Sequence, residues 1–293
     1  MRKRDEGVTL LFVLVILALT AASVVAMVNL SESSVTRSRL YSEAVAAQAL
    51  LSAGEATAVI ALRRDLATSP ELDHNREAWA LYNQTDVAIE GGRFSLTMLD
   101  AQGLFNLTNL ATEGIVAQNR LKDILAALDL DLRLAPPIIA ALAAPPAPAR
   151  LDQLRDRAGV SVDDLAKLAT MVTILPREIA VNLNAAPAGL LEVMLKNPVQ
   201  AKLLEARRAK LGFLTPADVS GLGIILPAGL GFRSTYFRVR ITAQTGDSVQ
   251  SESVLIERST DPEGAAVARV VARQPILSSP DAMAAGLPPP PSQ

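Results

Sequence analysis

Apolar residues fill positions 8–28, interrupted only by Thr9, Thr20 and Ser23. At 1.5 Å per residue, roughly 20 such residues cover the ~30 Å hydrocarbon core of a bilayer, so this run is long enough to span it. Past residue 28 the pattern changes period rather than stopping. Leu40, Ala44, Ala47, Leu51, Ala58 and Leu62 recur at helical spacing, while Glu32, Thr36, Arg39 and Glu43 make an opposite polar row. From residue 8 no proline or glycine interrupts the chain before Gly54. The spacing predicts one continuous helix over 8–66, on the order of 90 Å long, first apolar all round and then amphipathic. Ser69-Pro70 ends it, because proline removes a donor and biases its predecessor away from the helical region. Arg2, Lys3 and Arg4 precede the apolar run and place the N-terminus in the cytoplasm, with everything after Asn29 on the far side. A secretory signal has a shorter apolar core, ~7–15 residues, and ends at a small-residue cleavage site, a pattern this run does not follow.

Residues 70–85 are polar and loop-like. Phe94, Leu96 and Met98 then alternate with Arg93, Ser95 and Thr97 behind Gly91-Gly92, predicting a hairpin over 87–99. Residues 112–230 read as mainly helical, with a helix face at Leu121, Ile124, Leu125 and Leu128. Prolines at 136, 137, 145, 146 and 148 break that block. Ser161 with Asp164, and Thr215 with Asp218, are spaced as N-terminal capping boxes. Alternation returns at Phe237, Val239, Ile241 and Ala243, and Gly246-Asp247 turns the chain into a returning strand over 249–256. Two strand regions separated by a helical block predict one sheet split in sequence by an inserted all-α domain, an α+β fold. Residues 261–293, with four prolines at 288–291, read as a disordered or extended tail.

The leader resembles the class III signal of type IV pilins and type II secretion pseudopilins: a short basic segment ending in Gly7, then an apolar mature N-terminus at Val8. The resemblance implies cleavage by a prepilin peptidase after Gly7 and methylation of Val8. Most pilins carry glutamate at the fifth mature position; here it is Phe12. An unpaired carboxylate in hydrocarbon costs several kcal/mol, so a subunit with no neighbour above it gains by losing that group. Within the family, this substitution is similar to that of the GspK minor pseudopilins at the tip.

Two further motifs look like GspK. Asp100-Ala-Gln-Gly103-Leu-Phe-Asn106-Leu-Thr-Asn109-Leu110 resembles a DxxGxFNLNNL segment, with Thr108 in place of one asparagine. Val181-Asn182-Leu183-Asn184-Ala-Ala-Pro187 resembles VNLNTAP. The asparagines are expected to bond local backbone at strand ends and turns. The domains that follow are a leader over 1–7, a transmembrane and pilin helix over 8–66, and a pilin α/β domain over 67–111. An inserted helical domain over 112–230, closing strands over 231–260 and the tail complete the chain. The resemblance implies a single-pass bacterial inner-membrane protein with a periplasmic globular part. Its implied partners are I- and J-type minor pseudopilins, other pseudopilins, the inner-membrane assembly platform and prepilin peptidase.

The second motif also looks like a helix-hairpin-helix module, and a membrane-tethered DNA receptor is the rival reading. DNA-binding hairpins bring backbone amides to a phosphate through a Gly-x-Gly turn; here the turn is Leu195-Lys-Asn-Pro198. Lys196, Lys202, Arg207, Arg208 and Lys210 are basic, but the net charge is −2 and the pI about 5.6, which dilutes any basic field. Nucleic acid is therefore not expected as a partner. Cysteine is absent, which excludes thiol catalysis, thiolate zinc and disulfides. The single histidine, His74, reads as solvated surface. With no phosphate loop, nucleophile elbow or histidine triad, the chain is not expected to be an enzyme. No cofactor is expected. Asp129 with Asp131, Asp152 with Asp156, and Asp163 with Asp164 lack the spacing of an EF-hand. Calcium enters only by family analogy, through a Gly-Ala-Glu-Asp segment missing here, and the metal assignment stays open.

Overall fold

Helix α1 runs Asp5–Thr68, 64 residues without a break, or roughly 96 Å at 1.5 Å per residue. The computed structural model describes residues 5–111 and 113–276. Every side chain from residue 10 to 42 is exposed, so half of the helix stands clear of the core, with Arg39 near its end reaching Asp247 at 3.3 Å. Its apolar window has a mean hydropathy of 2.8, long and apolar enough to cross a membrane. From Ala47 the helix acquires a buried stripe, Ala47, Leu51, Gly54, Ala58, Leu62 and Asp65. The helix starts before Gly7 and ends two residues beyond the expected 66, at the residue before Ser69-Pro70.

After a short 3-10 turn carrying the buried Trp79, strands β1 (Gln84–Ile89) and β2 (Gly92–Asp100) form the expected hairpin. Gly92 is required there by space, since a Cβ would lie 1.9 Å from the Gln244 carbonyl oxygen. Strand β3 (Phe105–Asn106) opens the helical block. That block holds α2 (Ile115–Ala127), α3 (Ala135–Ala143), α4 (Leu154–Ala158) and α5 (Val162–Leu168). Strands β4 (Val172–Thr173) and β5 (Val181–Asn182) precede α6 (Ala188–Leu195), α7 (Pro198–Leu211) and α8 (Pro216–Gly221). Strand β6 (Leu230–Gly231) closes it. Then come β7 (Tyr236–Thr245), β8 (Ser248–Thr260) and β9 (Ala266–Ile276).

The main sheet has the order β1-β2-β7-β8-β9, every neighbour antiparallel. Its inner face, Leu96, Met98, Phe237, Val239, Ile241, Ala243, Val254 and Ile256, packs on the buried stripe of α1 and on Trp79. The helical domain has a separate core in which Leu121, Ile124, Leu125, Leu168, Leu190 and Leu204 are fully buried. Asp100 is the register partner of Phe237, so the chain leaves the sheet and re-enters it on adjacent strands. The helical domain is thus an insertion into one hairpin.

Two expectations need correction. Strand β9 lies within the predicted tail over 261–293: Ala268 and Val270 pack on the sheet core, and Arg273 reaches Glu55 of α1 at 2.6 Å. The remainder of that tail, 277–293, lies outside the described residues. The inserted domain also starts earlier than residue 112, because Phe105, Leu107 and Leu110 are buried in the helical core.

Candidate functional site

The motif residues meet in a polar seam between the sheet and the helical domain. Asp100 ends β2, and the tight turn behind it turns Gln102 inward. The Asp100 carboxylate accepts from the Gln102 amide at 2.8 Å, the Asn182 amide group at 2.7 Å and the Ser234 hydroxyl at 2.6 Å. Asn182 also donates to the Asp73 carbonyl at 3.1 Å. Burial pushes the Asp100 carboxyl up to about 6, against these donors, which pull it down. Gly103 closes the same seam: a Cβ there would lie 2.6 Å from the Ala185 carbonyl oxygen, so the two motifs touch backbone to backbone.

The asparagines do more than the local bonding expected of them. Asn106 accepts from Thr108 nearby, but also from the Leu175 amide at 2.9 Å, and it donates to the Arg177 carbonyl at 2.8 Å. Asn109 accepts from the Ile179 amide at 3.2 Å and donates to the Ile179 carbonyl at 3.1 Å. Asn184 makes the same paired contact with Leu214, at 2.8 and 3.0 Å. An amide group offers one acceptor and two donors, so a single asparagine can satisfy both polar groups of a distant backbone segment. Each one therefore pins an irregular loop that a two-residue strand could not hold.

Below the seam lies an ion cluster that the sequence reading does not contain. Arg258, fully enclosed, contacts Asp65 Oδ2 of α1 through Nη1 at 2.6 Å and Asp73 through Nη2. Its Nε donates to the Ser234 carbonyl at 3.0 Å, and its guanidinium lies 4.5 Å from the centroid of Phe237. Burial pushes Asp65 upward while Arg258 pulls it down. Glu77 accepts from Trp79 Nε1 at 3.0 Å, the His74 amide at 2.9 Å and the Ser69 hydroxyl at 2.9 Å. Asp65, Asp73 and Glu77 offer oxygens within 4.8 Å of one another. They do not fit a metal, because Arg258 already supplies the cation and Glu77 is taken up by three donors. Two signals could have found this cluster: Asp65 interrupts the apolar stripe of α1, and Arg258 continues the inward alternation of Val254 and Ile256.

His74 is half-buried rather than solvated. Its ring stacks on Phe213 at 3.9 Å between centroids, its Nδ1 accepts from the Arg76 amide at 3.1 Å, and burial pushes its pKa down. Of the remaining predicted residues, Phe12 lies exposed on the apolar part of α1. Gly7 and Val8 fall in the first turns of the same helix, and their side-chain environment lies outside the described residues. The expected capping box is complete at Thr215, whereas Ser161 caps its helix by accepting from the Asp164 amide while its hydroxyl, not its backbone amide, donates to the Asp164 carboxylate.

The hairpin between α6 and α7 is built for packing. Lys196, in left-handed conformation, pairs with Asp123 at 3.0 Å, and the Asn197 side chain accepts from Val199 and Gln200 at 3.1 Å each. Those are the amides a phosphate would need. Arg207 pairs with Asp218 at 2.9 Å, and Arg208 donates to the carbonyls of Leu183 and Ala186 at 2.7 and 2.8 Å. Three of the five basic residues are thus committed within the protein. Asp131 and Asp152 are likewise paired, with Arg133 and Arg150.

What the arrangement can do is mechanical: it fixes a bulky helical head to a sheet that grips a long free helix. No protein-family model and no curated protein matches the chain. Among solved structures, it matches a chain of the GspK-GspI-GspJ complex from the enterotoxigenic Escherichia coli type 2 secretion system. The match has a TM-score of 0.64 at 19% identity and covers 83% of this chain and 100% of that one. Over the matched part, the α+β architecture is therefore the fold found in that chain.

Proposed function

We propose that this chain is a K-type minor pseudopilin of a type II secretion system. In this reading it sits at the pseudopilus tip, where it starts or caps assembly with I- and J-type minor pseudopilins. The observation that carries the reading is the combination of α1, naked from residue 10 to 42, with a large helical insertion at the other end. A rod subunit needs the first to bundle with its neighbours. The second adds a mass above the sheet that hinders the next subunit.

On this reading the N-terminus is cytoplasmic, the anchor lies in the inner membrane and the head is periplasmic. Prepilin peptidase removes residues 1–7 and methylates Val8. The complex in which the solved neighbour was determined, with GspI and GspJ, supports the choice of partners. Phe12 in place of the usual glutamate supports the tip position, since no subunit above supplies a charge partner. Work is done by shape and helix packing rather than by bond-breaking.

The test is deletion of the gene in its own organism. Export of folded proteins across the outer membrane should stop, full-length chain should restore it, and the Gly7→Asp variant should remain uncleaved and fail to restore it. Normal export by the deletion strain would sink the proposal.

A further inference from the structure

The outer face of the main sheet carries charge that nothing in the described chain neutralises. Residues pointing away from α1 are set by register: Thr97 of β2 stands opposite Arg240 of β7, and Arg240 opposite Ser253 of β8. One pair further along, Leu99, Arg238 and Leu255 form the next row; on the other side lie Ser95, Thr242 and Ser251. Arg238 and Arg240 are therefore two apart on the same face, with side chains ~7 Å from each other. Both are exposed.

Other cations on or beside this face have partners. Arg93 pairs with Asp86, and both Arg177 and Arg269 pair with Glu257. Arg238 and Arg240 make no ion pair or side-chain hydrogen bond with any described residue. Two like charges held on one rigid strand, with the acid of the next row, Glu257, already taken by Arg177 and Arg269, repel each other in the free protein. An incoming carboxylate pair removes that repulsion.

Around them the surface is rich in hydroxyls, with Ser95, Thr97, Thr242, Ser251 and Ser253 half-buried. The loop from the helical domain covers only the far end of the face, where Leu175 and Ile179 pack on Tyr236 and Leu255. That leaves a ledge beneath the head, walled on one side. Arginine is the cation suited to such a place, since its planar fork takes a carboxylate by two parallel bonds.

We infer that this ledge, centred on Arg238 and Arg240, is a docking surface for a protein segment presenting paired carboxylates. Resting on the function proposed above, the segment belongs to one of the two sister minor pseudopilins. The charge on the ledge then selects which sister stands beside the sheet, while α1 supplies the non-selective bundling.

The test uses full-length chain in detergent, with binding to the purified I-type and J-type subunits of the same system measured at low and moderate salt. Binding of one sister should weaken at least ~10-fold in R238E/R240E and by less in R238Q/R240Q. Wild-type binding should weaken as salt rises while the charge-reversed variant loses that dependence. R155E, on the exposed face of α4, should bind as wild type does, and thermal unfolding should confirm that each variant is folded. Unchanged binding of R238E/R240E to both sisters, or an equal loss in R155E, overturns the ledge and leaves the functional reading intact. Failure of the wild type to bind either sister overturns the functional reading, and with it the ledge's assigned partner.

Discussion

At the level of single residues, the seam depends on a carboxylate held against its own preference. Asp100 is raised from 3.8 to about 6, so the folded state holds its proton more tightly than the unfolded chain does. The stability it contributes is complete below the unfolded value and is lost as pH rises through about 6. A shift of that size corresponds to about 3 kcal/mol. Asp65, also raised, acts in the same direction, whereas His74, lowered by burial, gains stability as pH rises. A comparison of two proteins that differ at one site separates these. Asp100→Asn keeps the shape, loses about 1 kcal/mol from one mismatched hydrogen bond and removes the titration. Denaturant unfolding of the full chain in detergent at pH 4.5 and 7.5 should show wild type losing stability relative to the variant across that window. Parallel pH profiles for the two proteins would mean that Asp100 titrates as an ordinary carboxylate.

Among elements, the tie that matters most joins α1, the loop after it and β8 through one arginine. Removing a partner from a buried ion cluster costs about 3–5 kcal/mol, because the remaining charge is left uncompensated. Arg258→Met should cost that much at pH 7.5, and adding Asp65→Asn and Asp73→Asn should recover a substantial part of it. Equal stability of wild type and Arg258→Met by the same unfolding assay would show that the cluster carries no such energy.

Periodicity made much of this architecture readable. Helix α1, the β1–β2 hairpin and β7 each repeat their pattern over enough residues for the period to be unmistakable. The pairs β3 with β4 and β5 with β6 were not readable, because a strand of two residues has no period. Strand β9 escaped for a different reason: its register shifts at Leu255/Ile256 and Pro275 sits near its end, so the alternation is interrupted where it should have declared itself. For the seam, the motifs pointed to Asp100, Gly103 and the four asparagines as structural residues. They gave no hint that the bonds run to segments some 70 positions away. Only the fold supplies that pairing, since a side chain's long-range partner leaves no local trace.

For the molecule as a whole, the insertion can be separated from what it is inserted into. Asp100 and Phe237 face each other across β2 and β7, so replacing residues 101–235 with a short glycine-containing turn would close an ordinary hairpin. The sheet and α1 keep their shared core, and Arg258 keeps Asp65 and Asp73. The shortened chain loses the donors from Gln102, Asn182 and Ser234, so it should be folded but less stable. If the head stops growth by its bulk, the headless protein should enter the fibre tip and fail to stop it. Pseudopili from a strain carrying only the headless chain should then be longer by electron microscopy than those of wild type, with cross-linking through α1 confirming that it is incorporated. Incorporated headless chain with wild-type fibre lengths would mean that the limit on growth resides in α1, where Phe12 leaves the usual charge position empty, and not in the head.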